Sequence, residues 1–283
     1  MSTFLFYEED AGAPTHRDDI EQALSNLGIA FSAPAGARYR PGTWDDAATG
    51  ARAIIDVGEP AMERDEMHPP TAYAGWRPVA VHIQIPLLAA HWQAVEGLRL
   101  LERFLAALPH LVPLDCEDTR RNDDADTGPF PFDRLRALAS WERQHAAHLQ
   151  GRIDIAVLDR RASLALWRYR RERAAGQVAR PDLYWPEALV LADGNQAVSV
   201  AVWANPSRAL ALPPVGYVVI PRVEGSGLLP SDEVLTAAGE PAWLTQGLAR
   251  DLPVSPELSA LHQGARMVPA ARFATVRDGD WVD

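Results

Sequence analysis

Apolar residues alternate with small or polar ones from Val79 to Pro86: Val79, Val81, Ile83 and Ile85 fall on one side, Ala80, His82 and Gln84 on the other. That period of two predicts a strand with one buried face. The pattern then changes period. Trp92, Val95, Leu98, Leu101, Leu105 and Leu108 recur every three or four residues, with Gln93, Glu96, Arg99 and Arg103 mostly between them. This predicts a core-facing helix of about five turns, which Pro109 ends. The following LVPL gives a short strand whose end carries Asp115, Cys116, Glu117 and Asp118. Upstream, Thr3 to Glu8 predicts a first strand, and Thr15 or Asp18 caps a helix that buries Ile20, Ala23, Leu24 and Leu27 and closes at Gly28. Ala51 to Gly58 adds another short strand.

The order of these elements is β-α-β-β-α-β. It predicts an α+β fold in which antiparallel sheets carry helices on one face, with a ferredoxin-like arrangement in the N-terminal half. TRRNDDADTGPFP, Thr119 to Pro131, is polar, charged and ends in Gly and Pro, so it is taken as a linker between subdomains 1–118 and 132–283. Beyond it, Asp133 caps a helix to Gln150, with Leu135, Leu138, Trp141 and Leu149 on its apolar side and Gly151 as its stop. Residues 152–176 fit either a hairpin turning at Asp159 to Ala162 or one Arg-rich helix, and alternation of Ile153, Ile155 and Val157 favours the hairpin. Ala188–Asp193 and Ala197–Trp203 flank Gly194-Asn195-Gln196 and predict a second hairpin. Tyr217–Ile220 reads as a strand, Leu229–Ala238 and Pro256–Gln263 as helices, and Phe273–Arg277 as a last strand.

Composition narrows the chemistry. All 27 basic residues are Arg, and the absence of Lys excludes a pyridoxal Schiff base, a P-loop lysine and a protein-kinase lysine. Cys116 is the single cysteine, so neither an internal disulfide nor a cysteine zinc cage can form. The N-terminus lacks the features of a secretory or mitochondrial leader, and no apolar run approaches the roughly 20 residues of a membrane helix. A cytoplasmic protein without membrane partners is expected. The net charge of -11 disfavours nucleic acid and favours a basic protein partner. Arg160, Arg161, Arg168, Arg170, Arg171 and Arg173, interleaved with Trp167 and Tyr169 as on a nucleic-acid stacking surface, form the most basic segment, and pairing with the many acids elsewhere is the simpler explanation of it.

Candidate sites follow from residue type. The loop between the second and third strands carries Glu63, Asp65, Glu66 and His68, whose donors suit hard or borderline cations but whose spacing matches no metal motif; a solvated acidic loop is the reading adopted. Tyr73 and Trp76 beside it are candidates for a partner-binding tip. His145 and His148 are one helical turn apart with no third ligand near in sequence. Cys116 sits between Asp115 and Glu117, which disfavour a thiolate. No G-x-S-x-G, H-E-x-x-H, P-loop or G-x-G-x-x-G is present. Two functions remain. One is a non-enzymatic protein that binds a basic partner through Tyr73, Trp76, Asp115, Glu117 and Asp118 without a cofactor; in composition this resembles the bacterial toxin-neutralising immunity proteins. The other is a metal-dependent hydrolase holding Mg²⁺ or Mn²⁺ on Asp115, Glu117 and Asp118, since strand alternation would place Asp115 and Glu117 on one face.

Overall fold

A computed structural model describes residues 1–58, 73–117, 129–152, 155–193, 195–223, 225–239, 241–244, 247–268, 274–275 and 281–283. The fold is α+β, and the chain divides into two compact units, Met1–Arg152 and Ile153–Asp283.

The first unit contains β1 (Ser2–Glu9), α1 (Arg17–Asn26), β2 (Ala30–Phe31), β3 (Tyr39–Asp45), β4 (Arg52–Gly58), β5 (Trp76–Ile85), α2 (His91–Ala107), β6 (Val112–Asp115) and α3 (Arg134–Leu149). Its strands form one antiparallel sheet in the order β2-β3-β4-β5-β1-β6. The four strands expected from sequence are contiguous within it, and β2 and β3 extend its edge. The element order is therefore longer than β-α-β-β-α-β. β3 escapes recognition because Pro41 and Gly42 interrupt its alternation. Gly42 is where Ile29 and Phe31 cross the strand: a Cβ there would stand 2.8 Å from one and 2.9 Å from the other.

α1 and α2 pack side by side on the same face of the sheet. α2 lies close over β5, because Gly97 leaves room for Ile85, and its Phe104 meets Phe6 of β1 edge-on at 5.1 Å. α2 is more fully covered than its apolar stripe predicts; Gln93 and Glu96 are also buried. α3 accounts for this by packing on α2's outer side. Gln93 answers its burial by accepting from the Arg52 N–H at 2.9 Å, and Glu96 by pairing with Arg99 at 2.7 Å.

α3 also moves the boundary between units. Trp141 donates to the Pro86 carbonyl at 2.9 Å and stacks on His145, whose Nδ1 lies 2.6 Å from the Leu87 carbonyl. These contacts tie α3 to the β5–α2 connection, so the division falls after Arg152 and not within 119–131. Of that expected linker, residues 119–128 lie outside the described residues.

The second unit contains β7 (Ala156–Val157), α4 (Arg160–Ala179), β8 (Ala188–Asp193), β9 (Gln196–Val202), β10 (Leu210–Leu212), β11 (Tyr217–Arg222), β12 (Gly225–Pro230), α5 (Ser231–Ala237), β13 (Trp243–Leu244), β14 (Ala249–Leu252), α6 (Pro256–Gly264), β15 (Met267–Val268), β16 (Ala274–Thr275) and β17 (Trp281–Val282). One sheet follows the path β15-β12-β11-β9-β7-β17, with β8 joining β9 to β16, and a smaller one has the order β10-β14-β13. The β8–β9 hairpin is antiparallel as expected, but β9 with β11, β7 with β9 and β7 with β17 are parallel. The expectation of antiparallel sheets alone therefore holds for the first unit and not the second.

The larger correction is α4. The residues expected to turn a hairpin instead cap a helix: an Asp159 side-chain oxygen accepts from the Arg161 and Ala162 N–H groups at 3.0 and 3.1 Å. Ser163, Leu166 and Tyr169 then share the buried side, and the Tyr169 hydroxyl donates to the Pro186 carbonyl at 2.8 Å. Gly176 lets the Trp185 ring lie against the helix where any Cβ would collide with it. Tertiary packing of this kind outweighs the short alternation of 153–157.

Among the described residues no helix is long and apolar enough to cross a membrane. On α6, His262 is buried beside Trp203, with Nε2 3.2 Å from that residue's carbonyl oxygen. Burial holds its imidazole below the ordinary histidine value despite that bond, and Arg222 adds to the effect. The unfolded chain therefore binds the proton first, and stability falls as pH drops below the unfolded value near 6.5 until the folded group titrates too. Urea unfolding followed between about pH 7.5 and 5 should show this loss, and a His262→Gln variant should show a smaller one.

Candidate acidic groove

The last residues of β1 break a rule of the strand. Ser2, Phe4 and Phe6 alternate into the core, and Glu8 continues the same alternation, leaving the residue only 5% exposed. A buried charge needs a partner. Register supplies one, because Glu8 lies opposite Arg77 at the start of β5. Arg77 Nε donates to Glu8 Oε1 at 2.5 Å, while its two Nη groups donate to the carbonyls of Asp10 and Gly12 at 3.3 and 2.8 Å. One guanidinium thus fixes both the carboxylate and the turn after the strand.

Thr15 completes the arrangement. Its N–H donates to Glu8 Oε2 at 2.9 Å, its hydroxyl donates to the same oxygen, and its Oγ1 lies 2.7 Å from His110 Nε2. Burial pushes the Glu8 carboxyl up, but the bonds from Thr15 and Arg77 outweigh it and hold the carboxyl below the ordinary glutamate value.

Beside this network a groove of about 980 Å³ opens between the first turns of α1, the end of α2 and the α2–β6 connection. Its charged lining is Glu8, Glu9 and Asp19; its titratable remainder is His16 and His110; Trp76 and Leu108 give it apolar surface. Among the described residues no Arg lines it. The groove is therefore acidic with an aromatic side, on a unit that carries 23 Asp and Glu against 14 Arg, whereas the second unit carries 15 against 13.

The residues singled out from sequence separate. Trp76 lines the groove. Tyr73 meets Tyr7 edge-on at 5.4 Å and, with Trp76 and Cys116, packs against Leu5, Tyr7 and Leu114. Asp115 lies opposite Phe4 on the other side of the sheet's alternation, where a small cavity also touches Phe130, Asp133 and Arg136 near the start of α3. Its Oδ1 accepts from the Glu117 N–H at 3.0 Å, so the chain turns there. The strand alternation that would have aligned Asp115 with Glu117 has already ended. Asp118 and the set Glu63, Asp65, Glu66 and His68 lie outside the described residues. Among the described residues no three His, Cys, Asp or Glu side chains converge to hold a metal ion. His145 and His148 turn to different carbonyls, those of Leu87 and Gln144. On α4, Arg170 and Arg173 donate inward to the carbonyls of Ala188 and Trp185, while Arg160, Arg161, Arg168 and Arg171 are exposed.

Glu8, Thr15 and His110 were not singled out from sequence as site residues, although one signal for Glu8 was present: an acid in phase with Phe4 and Phe6. Compared with known protein families, curated proteins and solved structures, the chain matches none.

Because the folded carboxyl of Glu8 titrates below the unfolded one, its contribution is fully present above about pH 4.5 and is lost as pH falls through the folded value. Glu8→Gln should cost about 1–3 kcal/mol at neutral pH in urea unfolding, and its deficit relative to wild type should shrink on acidification.

Proposed function

We propose that the first unit is a non-enzymatic binding module that captures a basic segment of a partner protein in this groove. The observation that carries the reading is the combination of an acidic lining, without Arg among the described residues, with the indole of Trp76. Carboxylates attract Arg and Lys side chains, and an aromatic face adds cation–π attraction for the same groups. The wall is held in place before any partner arrives, since Glu8, Thr15 and Arg77 are already bonded to one another. Preorganisation of this kind lowers the entropic cost of association. Occupying a basic segment would mask it from its own targets, which is how a protein that neutralises a toxin in the cytoplasm would work. The chain's acidity and single cysteine fit that setting.

The site therefore keeps Trp76 from the sequence reading and replaces Asp115 and Glu117 with Glu9 and Asp19. A fluorescein-labelled oligo-arginine peptide serves as the probe in fluorescence anisotropy, with an oligo-glutamate peptide of equal length as control. The arginine peptide should bind and the glutamate peptide should not. Trp76→Ala and the pair Glu9→Gln with Asp19→Asn should each weaken binding roughly tenfold or more, whereas Asp115→Asn with Glu117→Gln should leave it unchanged.

A further inference from the structure

His110 is exposed at the groove, yet one of its ring nitrogens is committed. Thr15 has a single hydroxyl proton, and an ionised carboxylate can only accept, so that proton goes to Glu8 Oε2. The 2.7 Å contact between Thr15 Oγ1 and His110 Nε2 then requires the imidazole to donate. Neutral His110 is fixed as the Nε2–H tautomer, and Nδ1 is the nitrogen left to take up a proton. Protonation at Nδ1 leaves the Nε2–H bond to Thr15 intact. The imidazolium would therefore remain anchored through Thr15 to Glu8 and could not swing away from the groove.

The charged and titratable groups that meet it there come from each surrounding element. β1 gives Glu8 and Glu9, the N-terminal end of α1 gives His16 and Asp19, and Arg77 of β5 is bonded to Glu8 without lining the groove. A positive charge fixed on this wall opposes any cation in the groove and offsets the attraction of Glu9 and Asp19. Histidine is the side chain whose charge ordinarily changes between pH 5 and 8, while carboxylates in general titrate lower.

We infer that His110 is a proton-operated gate on the groove: neutral, it admits a cationic side chain of the partner, and protonated, it expels it. The inference rests on the proposed capture of a basic segment and adds its regulation. A captured partner would be held near neutral pH and released on acidification.

The test is the anisotropy titration with the oligo-arginine peptide, run at roughly pH 7.5 and pH 5.5 at constant ionic strength. Wild-type protein should bind about tenfold more weakly at the lower pH, a repulsion between the aqueous and surface limits for charges a few ångströms apart. His110→Gln, an exposed change whose fold is checked by its unfolding midpoint, should bind at both pH values with nearly equal affinity. His148→Gln, an exposed change outside the groove, should keep the wild-type loss. A wild-type affinity that does not change with pH overturns the gate alone, as does a His110→Gln variant that loses affinity as wild type does. If the peptide fails to bind at either pH, the capture reading falls and the gate with it.

Discussion

The first unit depends on a buried carboxylate. Glu8 occupies a core position of β1, where an ion without partners would cost several kcal/mol. Arg77 and Thr15 meet that demand, and each brings a piece of chain with it. Arg77 pins the turn at Asp10 and Gly12; Thr15 places the entry to α1; and through Thr15 the α2–β6 connection is held at His110. One electrostatic requirement at a strand end thereby sets the relative positions of the segments that line the groove. A hydrophobic residue at position 8 would fill the same volume and leave those segments without their common anchor.

The sheet divides the labour of the unit between its faces. On one face α1 and α2 cover Phe6 and its neighbours, and α3 covers α2 in turn. On the other, Leu5, Tyr7 and Leu114 are covered by Tyr73, Trp76 and Cys116. Glu8 belongs by alternation to the helix-covered side and Glu9 to the aromatic side, so the groove at the end of β1 receives residues from both. This is why an acidic wall and an indole meet in one place.

Much of this architecture was legible from periodicity. The strands at β1, β4, β5 and β6, the helices α1, α2 and α3, and the β8–β9 hairpin all follow from apolar spacing in the chain. What spacing could not show was decided by contacts distant in sequence. β3 carries Pro41 and Gly42 and looks like a turn until Ile29 and Phe31 cross it. α4 has a weak apolar stripe and becomes a helix through the Asp159 cap and the fit of Gly176 to Trp185. The site was legible only in part. Trp76 stood out by residue type, but Thr15 looked like a helix cap and nothing in the spacing drew attention to His110. Their association with Glu8 spans 7 residues in one case and, between Thr15 and His110, 95. The acids of 115–117 drew notice because they are adjacent in sequence, yet the turn at Asp115 spends that adjacency on a local backbone hydrogen bond.

The central claim is that the groove at the end of β1 is where a basic segment binds. Hydrogen–deuterium exchange of the full chain, with and without the oligo-arginine peptide, tests this most directly because it reports location independently of affinity. New protection should be confined to peptides covering Glu8–Asn26, Trp76 and Ala107–Val112. Protection centred instead on Asp115–Glu117 or on any segment of the second unit, with the groove unchanged, would contradict it.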